Sequence, residues 1–298
     1  MYKSDYKNII YGNLISREIQ NEIKTEVLLF KQSRNIIPSL AVILVGDNDA
    51  SRLYVKNKQR MANYVGIQSK LFELPIHVEQ KEIINIIEDL NEDPTIHGIL
   101  VQLPLPSQID ETTVISMINP LKDVDGLHPY NSGLLAAGIP KFVPATPLAI
   151  REILLRTNNN PAGKHVVILG RSNIVGRPVA NLLSLKSFGG NATVTLCHSR
   201  TNDLKSLTKT ADIIIVAMGI PNFVDASMVH SGVVVIDVGI NRIPNLKMQR
   251  GYKLVGDVDF ESVMPISSAI TPVPGGVGPM TIAMLLSNTI LATKLQDI

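Results

Sequence analysis

Short apolar runs alternate with amphipathic stretches along this chain, and that alternation limits the possible folds more than any other feature. The runs Ser39 to Val45, Gly98 to Gln102, Val166 to Leu169, Thr193 to Leu196, Ile213 to Ala217 and Val233 to Asp237 are of strand length. Strands that alternate with helices read as βαβ units around a parallel sheet. The rhythm occurs twice, in the first 120 residues and again from about residue 164 to 271. The expected fold class is therefore α/β, with two domains that each carry a mainly parallel sheet. Between them, Pro120 to Pro147 holds five prolines and three glycines and reads as a domain crossing, with Thr146-Pro147 opening the helix that follows. The last segment, from Gly278 or Pro279 through Leu295, reads as a long amphipathic helix that returns to the first domain. The expected boundaries are 1–143 with 272–298 for the first domain and 144–271 for the second.

Lys164 to Pro178 (KHVVILGRSNIVGRP) is a strand that breaks at Gly170, a short polar loop, and a helix start at Gly176 and Pro178. Glycines there let backbone approach a pyrophosphate, and the helix dipole faces the charge. The spacing departs from G-x-G-x-x-G, since Ser172 stands at the second glycine and Gly176 falls one residue late. An ordinary strand-to-helix turn would read the same way. The second strand, Asn191 to Cys197, adds weight because it ends in His198-Ser199-Arg200-Thr201 with no acidic residue. An acid there would grip a ribose 2′-hydroxyl, whereas Ser199, Arg200 and Arg171 suit a 2′-phosphate. The second domain is thus expected to be of Rossmann type, with NADP favoured over NAD as its cofactor.

Composition excludes several classes. Hydrophobic residues make up 45%, charged residues 18%, and the formal net charge is +2, which leaves no excess field for nucleic acid or an anionic membrane. The single cysteine, Cys197, permits no intramolecular disulfide, and the N-terminal residues lack a signal-peptide core, so a cytoplasmic location is the default. The six histidines stand in no metal-ligand spacing, and no metal is expected.

The first domain carries the polar residues with chemical potential. After the run Leu40 to Val45 comes a loop and then a helix, with Ser51 as the expected N-cap and Gly66 as its stop. Tyr54 and Lys58 share one face of that helix, an arrangement that could stack a flat ligand beside an amine or could be a solvated surface. Gln102 interrupts an apolar strand at its C-terminal end, where parallel sheets place ligand-contacting groups, although a backbone hydrogen bond would explain it too. Asp123 and Asp125 fall in a loop, as ligand groups or as turn and cap residues.

Taken together, these segments resemble the bifunctional methylenetetrahydrofolate dehydrogenase/methenyltetrahydrofolate cyclohydrolase family over almost the whole chain. The resemblance rests on Tyr54-x-x-x-Lys58 after Val45-Gly46-Asp47-Asn48, on Val101-Gln102-Leu103-Pro104 and on Lys122-Asp123-Val124-Asp125-Gly126. It continues with Gly170-Arg171-Ser172, Val175-Gly176-Arg177-Pro178, Asp237-Val238-Gly239-Ile240-Asn241 and Pro274-Gly275-Gly276-Val277-Gly278-Pro279-Met280-Thr281. The family implies a folate substrate on the first domain, NADP on the second, and an active-site cleft between them.

By that resemblance Lys58 is the base of the cyclohydrolase step, Gln102 hydrogen-bonds Lys58 or the water, Tyr54 stacks on or orients the folate, and Asp125 holds the pterin. Val101, Leu103, Pro274, Gly275, Gly276 and Val277 line the folate side. Gly170, Arg171 and Ser172 hold the cofactor phosphates, Ser199 and Arg200 the 2′-phosphate, and Ile240 meets the nicotinamide. The resemblance also implies a homodimer and a place in one-carbon metabolism and purine biosynthesis. Many members read Pro-Cys-Thr-Pro-x-Gly where this chain has Pro144-Ala145-Thr146-Pro147-Leu148-Ala149, a change expected to alter packing and to leave both activities in place. Two other readings stay open on the residues alone: a single-activity NADP dehydrogenase of another small substrate, and a non-catalytic dinucleotide-binding module.

Overall fold

The computed structural model describes residues 8–245, 248 and 251–296. By their contacts the described residues fall into two units, one within Arg17–Ala145 and Ile282–Ile298, the other within Met1–Ser16 and Thr146–Thr281. They are called here the Lys58 unit and the Gly170 unit.

From residue 17 of α1 (Gly12–Arg34) the Lys58 unit runs through β1 (Ser39–Val45), α2 (Asp49–Val65), β2 (Gln68–Leu74), α3 (Gln80–Glu92), β3 (Gly98–Val101), α4 (Glu111–Ser116) and α5 (Pro129–Ala136). Its sheet is parallel in the order β2-β1-β3. The uncharged sequence SLAVILV takes the central position because every residue of β1 is buried, so both faces need apolar side chains. β2 (QSKLFEL) escapes the apolar-run criterion because it is an edge strand, half covered along its length. Ile83, Ile87 and Leu90 form the buried stripe of α3 and pack with Ile43, Ile99 and Val101.

The cap of α2 corrects the expectation at Ser51. Asn48 is the N-cap: its side-chain oxygen accepts from the N–H groups of Ala50 (3.0 Å) and Ser51 (3.1 Å). Gly66 closes the helix in the left-handed region at φ +89°, where a side chain would be strained. Asn48→Ala should cost about 1 kcal/mol and lower the melting temperature by roughly 2–4 °C in a thermal unfolding scan, whereas Ser51→Ala keeps the cap.

In the Gly170 unit the chain passes through α6 (Ala145–Arg156), β4 (His165–Leu169), α7 (Gly176–Ser184), β5 (Thr193–Cys197), α8 (Leu204–Lys209), β6 (Ile213–Val216) and β7 (Val234–Asp237). It continues through β8 (Asn241–Pro244), β9 (Tyr252–Val255), α9 (Phe260–Val263) and β10 (Ala269–Ile270) to α10 (Val277–Gln296). Five parallel strands lie in the order β10-β7-β6-β4-β5, while β8 and β9 form a separate antiparallel pair. Because the strand order reverses at β4, the crevice at the carboxyl ends of β4 and β6 is the topological switch point where such sheets take their ligands.

Two stretches fall on the other side of the expected domain boundaries. Ile10 N–H donates to the Ile270 carbonyl (2.8 Å) and Ile270 N–H to the Asn8 carbonyl (2.9 Å), so the described part of the N-terminal segment extends the Gly170 unit's sheet beside β10. Residues 272–281 join the same unit, where Asn13 N–H donates to the Gly275 carbonyl (3.1 Å). Residues 1–7 and 297–298 of the expected first domain lie outside the described residues.

α10 is not amphipathic. Among its described residues only Lys294 is exposed, because the helix is covered around its circumference. Asn288 in its later half donates to the carbonyls of Val124 (2.8 Å) and Val143 (3.0 Å), which fixes that half within the Lys58 unit. Ala145 and Ala149, the departures from the Cys and Gly of the family pattern, are both buried in α6.

Candidate active site

Ser51, Val55, Lys58, Ala62 and Val65 form the buried stripe of α2 at helical spacing. A lysine in the middle of such a stripe is costly, since an amine held away from water needs a partner. Lys58 is 7% exposed, and its Nζ donates to Gln102 Oε1 at 3.0 Å. Gln102 follows β3 directly, its backbone N–H donating to the Ile43 carbonyl of β1 (2.9 Å). Its side-chain amide is oriented from the other end, where Nε2 donates to the Leu103 carbonyl at 2.7 Å. Of the two explanations left open for Gln102 the structure contains both at once: one end bonds to backbone and the other presents an oxygen to the amine.

The Tyr54 ring lies 6.0 Å from Lys58 Nζ, one helical turn earlier. Burial pulls the Lys58 amine below the usual lysine range, and the Asp125 carboxylate opposes that fall. Burial pushes Asp125 upward, Lys58 counteracts it, and the charge of Asp123 adds to the rise. The Tyr54 phenol is pushed up by burial. The result is an amine that gives up its proton more readily than a surface lysine, beside a carboxylate and an aromatic ring.

Sequence spacing could not separate the two aspartates, and the structure does. Asp123 is turned into its own loop, where it accepts from Leu127 N–H (3.2 Å), His128 N–H (2.9 Å) and Asn131 Nδ2 (2.8 Å). Lys122, which sequence reasoning left without a role, donates from Nζ to the carbonyls of Leu90 (2.9 Å) and Asp93 (2.8 Å), closing the C-terminal end of α3. These neighbours anchor the loop, and Asp125 is the member of the motif whose charge bears on the Lys58 amine. Val101 packs its side chain in the core beside Ile43 and Ile99, while Leu103 is half-buried.

In the Gly170 unit, the turn after β4 is shaped by contact between backbones. A Cβ on Gly170, whose φ is +115°, would overlap the Ala217 carbonyl, and one on Gly176 would overlap the carbonyl of Gly170 itself. No side chain caps α7 at Val175. Arg171 and Ser172 in this turn are exposed, as are Ser199 and Arg200 after β5. Gly170 N–H donates to the Cys197 carbonyl at 3.0 Å, which sets the two loops side by side. A tight turn, an uncapped helix and exposed cationic and hydroxyl side chains suit a dinucleotide carrying an extra phosphate.

Ile240 is 47% exposed after β7. Pro274 is exposed, Gly275 half-buried, and Gly276 and Val277 are buried, with Gly276 in close contact with Gly12. The structure thus brings Tyr54, Lys58, Val101, Gln102, Leu103 and Asp125 together in one unit. Gly170, Arg171, Ser172, Ser199, Arg200, Ile240 and residues 274–277 belong to the other. Among the described residues, no group of three histidine, cysteine or acidic side chains could hold a metal ion, and no helix is long and apolar enough to cross a membrane.

Comparison with known proteins agrees with this geometry. Residues 10–125 match the model for the tetrahydrofolate dehydrogenase/cyclohydrolase catalytic domain, and residues 144–297 match the NAD(P)-binding domain of the same family. The chain is 53% identical over 284 residues to the bifunctional protein FolD of Chlorobium phaeobacteroides, covering 95% of this chain and 96% of that one. Among solved structures, the bifunctional FolD methylenetetrahydrofolate dehydrogenase/cyclohydrolase of Campylobacter jejuni superposes with a TM-score of 0.90 at 48% identity, over 96% of this chain and 98% of that one. The Trypanosoma brucei methylenetetrahydrofolate dehydrogenase-cyclohydrolase, solved with NADP cofactor and an inhibitor, gives a TM-score of 0.91 at 39% identity, over 96% and 97% of the two chains. With both of its parts matched and half of its residues shared with such relatives, the chain belongs to the tetrahydrofolate dehydrogenase/cyclohydrolase family.

Proposed function

We propose that the protein oxidises 5,10-methylenetetrahydrofolate with NADP to the 5,10-methenyl form and then hydrolyses that product to 10-formyltetrahydrofolate. The observation that carries this reading is the buried Lys58 amine, bonded to Gln102 and within electrostatic reach of Asp125.

NADP, when bound, accepts the hydride from the methylene carbon. The chain's part in that step is to bind and orient, and no side chain has to take a proton. Gly170, Arg171 and Ser172 hold the phosphates, Ser199 and Arg200 the 2′-phosphate, and Ile240 borders the nicotinamide. Asp125, as a carboxylate, accepts from the N–H donors of the pterin, while Tyr54 and Leu103 border the folate.

Hydrolysis needs a base. Water adds to the cationic methenyl carbon, Lys58 takes one proton from that water, and the remaining hydroxyl proton passes to N5 as the carbonyl forms and the N5–carbon bond breaks, leaving the formyl group on N10. Gln102 holds the lysine in place. A cationic substrate beside Lys58 favours its neutral form further, which is the form that can accept a proton.

We also propose a cytoplasmic homodimer that supplies formyl units to one-carbon metabolism and purine biosynthesis. β5 is the outer strand of its sheet, with Thr193 exposed and residues 194–196 half-buried, and it offers an unpaired edge to a second copy.

Mixing the purified protein with 5,10-methylenetetrahydrofolate and NADP should raise methenyl absorbance, which then decays as the formyl product forms. A rise without enzyme-dependent decay would favour the single-activity dehydrogenase, and no rise at all the non-catalytic module. In the same assay kcat/KM should be higher with NADP than with NAD, and the reverse order would remove Arg171 and Ser199 as readers of the 2′-phosphate.

A further inference from the structure

The Gly170 unit holds a second pair of buried carboxylates that the reading above does not use. Asp237 ends β7 and Asp257 follows β9, at 3% and 0% exposure. Asp237 accepts from the backbone N–H groups of Asp257 (3.0 Å) and Gly239 (3.1 Å) on one oxygen and of Val258 (3.0 Å) on the other. Asp257 accepts from Met218 N–H (2.6 Å) and Gly219 N–H (2.8 Å) on Oδ2, and from Asn241 Nδ2 (2.8 Å) on Oδ1. The first carboxylate therefore fixes the backbone that carries the second. The second ties the loop after β6 to the segment after β7.

The chain is wrapped closely around both groups. A Cβ on Gly239 would overlap the Asp257 carboxylate, and one on Gly256 would overlap that of Asp237. Three N–H donors converge on Asp257, and only a group that accepts on both ends serves them all. Burying two carboxylates so close together is unfavourable, and burial pushes Asp237 up to about 7 in spite of its backbone donors. An arrangement held at that cost calls for a purpose beyond filling space.

Its place in the sheet suggests what it serves. From the β5 edge inward, the carboxyl ends present loop 198–201, then loop 170–175, then loop 217–219, then segment 238–241. A dinucleotide with its 2′-phosphate at the first and its pyrophosphate at the second reaches the third and fourth with its nicotinamide. We propose that Asp257 is a positioning residue for the nicotinamide end of the cofactor site, holding Met218 and Gly219 by their backbone N–H groups and Ile240 through the side chain of its neighbour Asn241. This rests on the dinucleotide reading of the Gly170 unit given above.

The test compares two ligands by calorimetry: NADP, and adenosine 2′,5′-bisphosphate, which lacks the nicotinamide half. In Asp257→Asn one of the three donors must face an NH2 group instead of an oxygen. NADP affinity should fall about tenfold while adenosine 2′,5′-bisphosphate binding stays within about twofold of wild type. The double variant Asp257→Asn with Asn241→Asp exchanges donor for acceptor across that contact and should restore NADP affinity. Equal loss for both ligands would mean that Asp257 merely supports the fold, and no loss for either would mean that it positions nothing; both outcomes overturn the proposal. If Asp257→Asn does not fold, Asn241→Ala removes a single donor and carries the same comparison. Wild-type protein that binds neither ligand would instead sink the dinucleotide reading, and the proposal with it.

Discussion

Lys58→Met is expected to lower the cyclohydrolase rate by roughly 10²–10⁴-fold, the usual contribution of a positioned general base, while the dehydrogenase keeps a rate within about tenfold of wild type. Methionine preserves the length of the side chain and its place in the α2 stripe but can neither take a proton nor donate to Gln102. The hydride step asks nothing of that amine, so the two activities should separate. Equal loss of both would show that Lys58 shapes the site and does not act as the base. In wild-type protein the cyclohydrolase should fall on acidification below the lowered pKa of Lys58, because only the neutral amine is a base, and the dehydrogenase should not follow that limb. Stability gives a second check. A lysine whose pKa is lower folded than unfolded leaves the unfolded chain holding more protons between the two values, so stability rises with pH across that window. Lys58→Met should remove this dependence and raise the melting temperature at neutral pH, and an unchanged profile would mean that burial does not lower the pKa of the amine.

Asp125→Ala should weaken folate binding in both reactions by about 10- to 150-fold, the range expected when a hydrogen bond to a charged group is lost. The reasoning differs from that for Lys58, because a group that holds the substrate acts before either step. Titration calorimetry with a folate analogue would read the loss directly, and unchanged affinity would place the pterin elsewhere. The same substitution has an electrostatic signature. Asp125 opposes the fall of the Lys58 pKa, so its removal should move the acid limb of the residual cyclohydrolase activity to lower pH. A limb that stays in place would mean that the two side chains do not interact in the working enzyme.

Much of this was legible in the sequence where one strong constraint acted alone. The central strands β1 and β4 are buried, β1 along its whole length and β4 along all but His165, so an unbroken apolar run marked them. β2 was missed because an edge strand tolerates Lys70 and Glu73 among its apolar residues. The periodicity of α10 misled because a helix enclosed on all sides needs no polar face, and its Asn288 and Thr289 are buried. The family motifs singled out Tyr54, Lys58 and Gln102, and the helix repeat and a strand end account for how the structure brings these three side chains together. Asp257 was not found. Its three partners lie between 16 and 39 residues away, and the only signal was Gly256-Asp257-Val258, a faint echo of Asp237-Val238-Gly239.

The backbone contact at Gly170 and Gly176 leaves no room for even a methyl group, whereas Arg171, Ser172, Ser199 and Arg200 stand in the open. Natural variation is thereby partitioned. The hinge of the turn after β4 is closed to change, but the exposed side chains proposed to discriminate one coenzyme from the other can drift at little expense to folding. A lineage could thus exchange its redox currency through a few surface substitutions while the scaffold beneath them stays as it is.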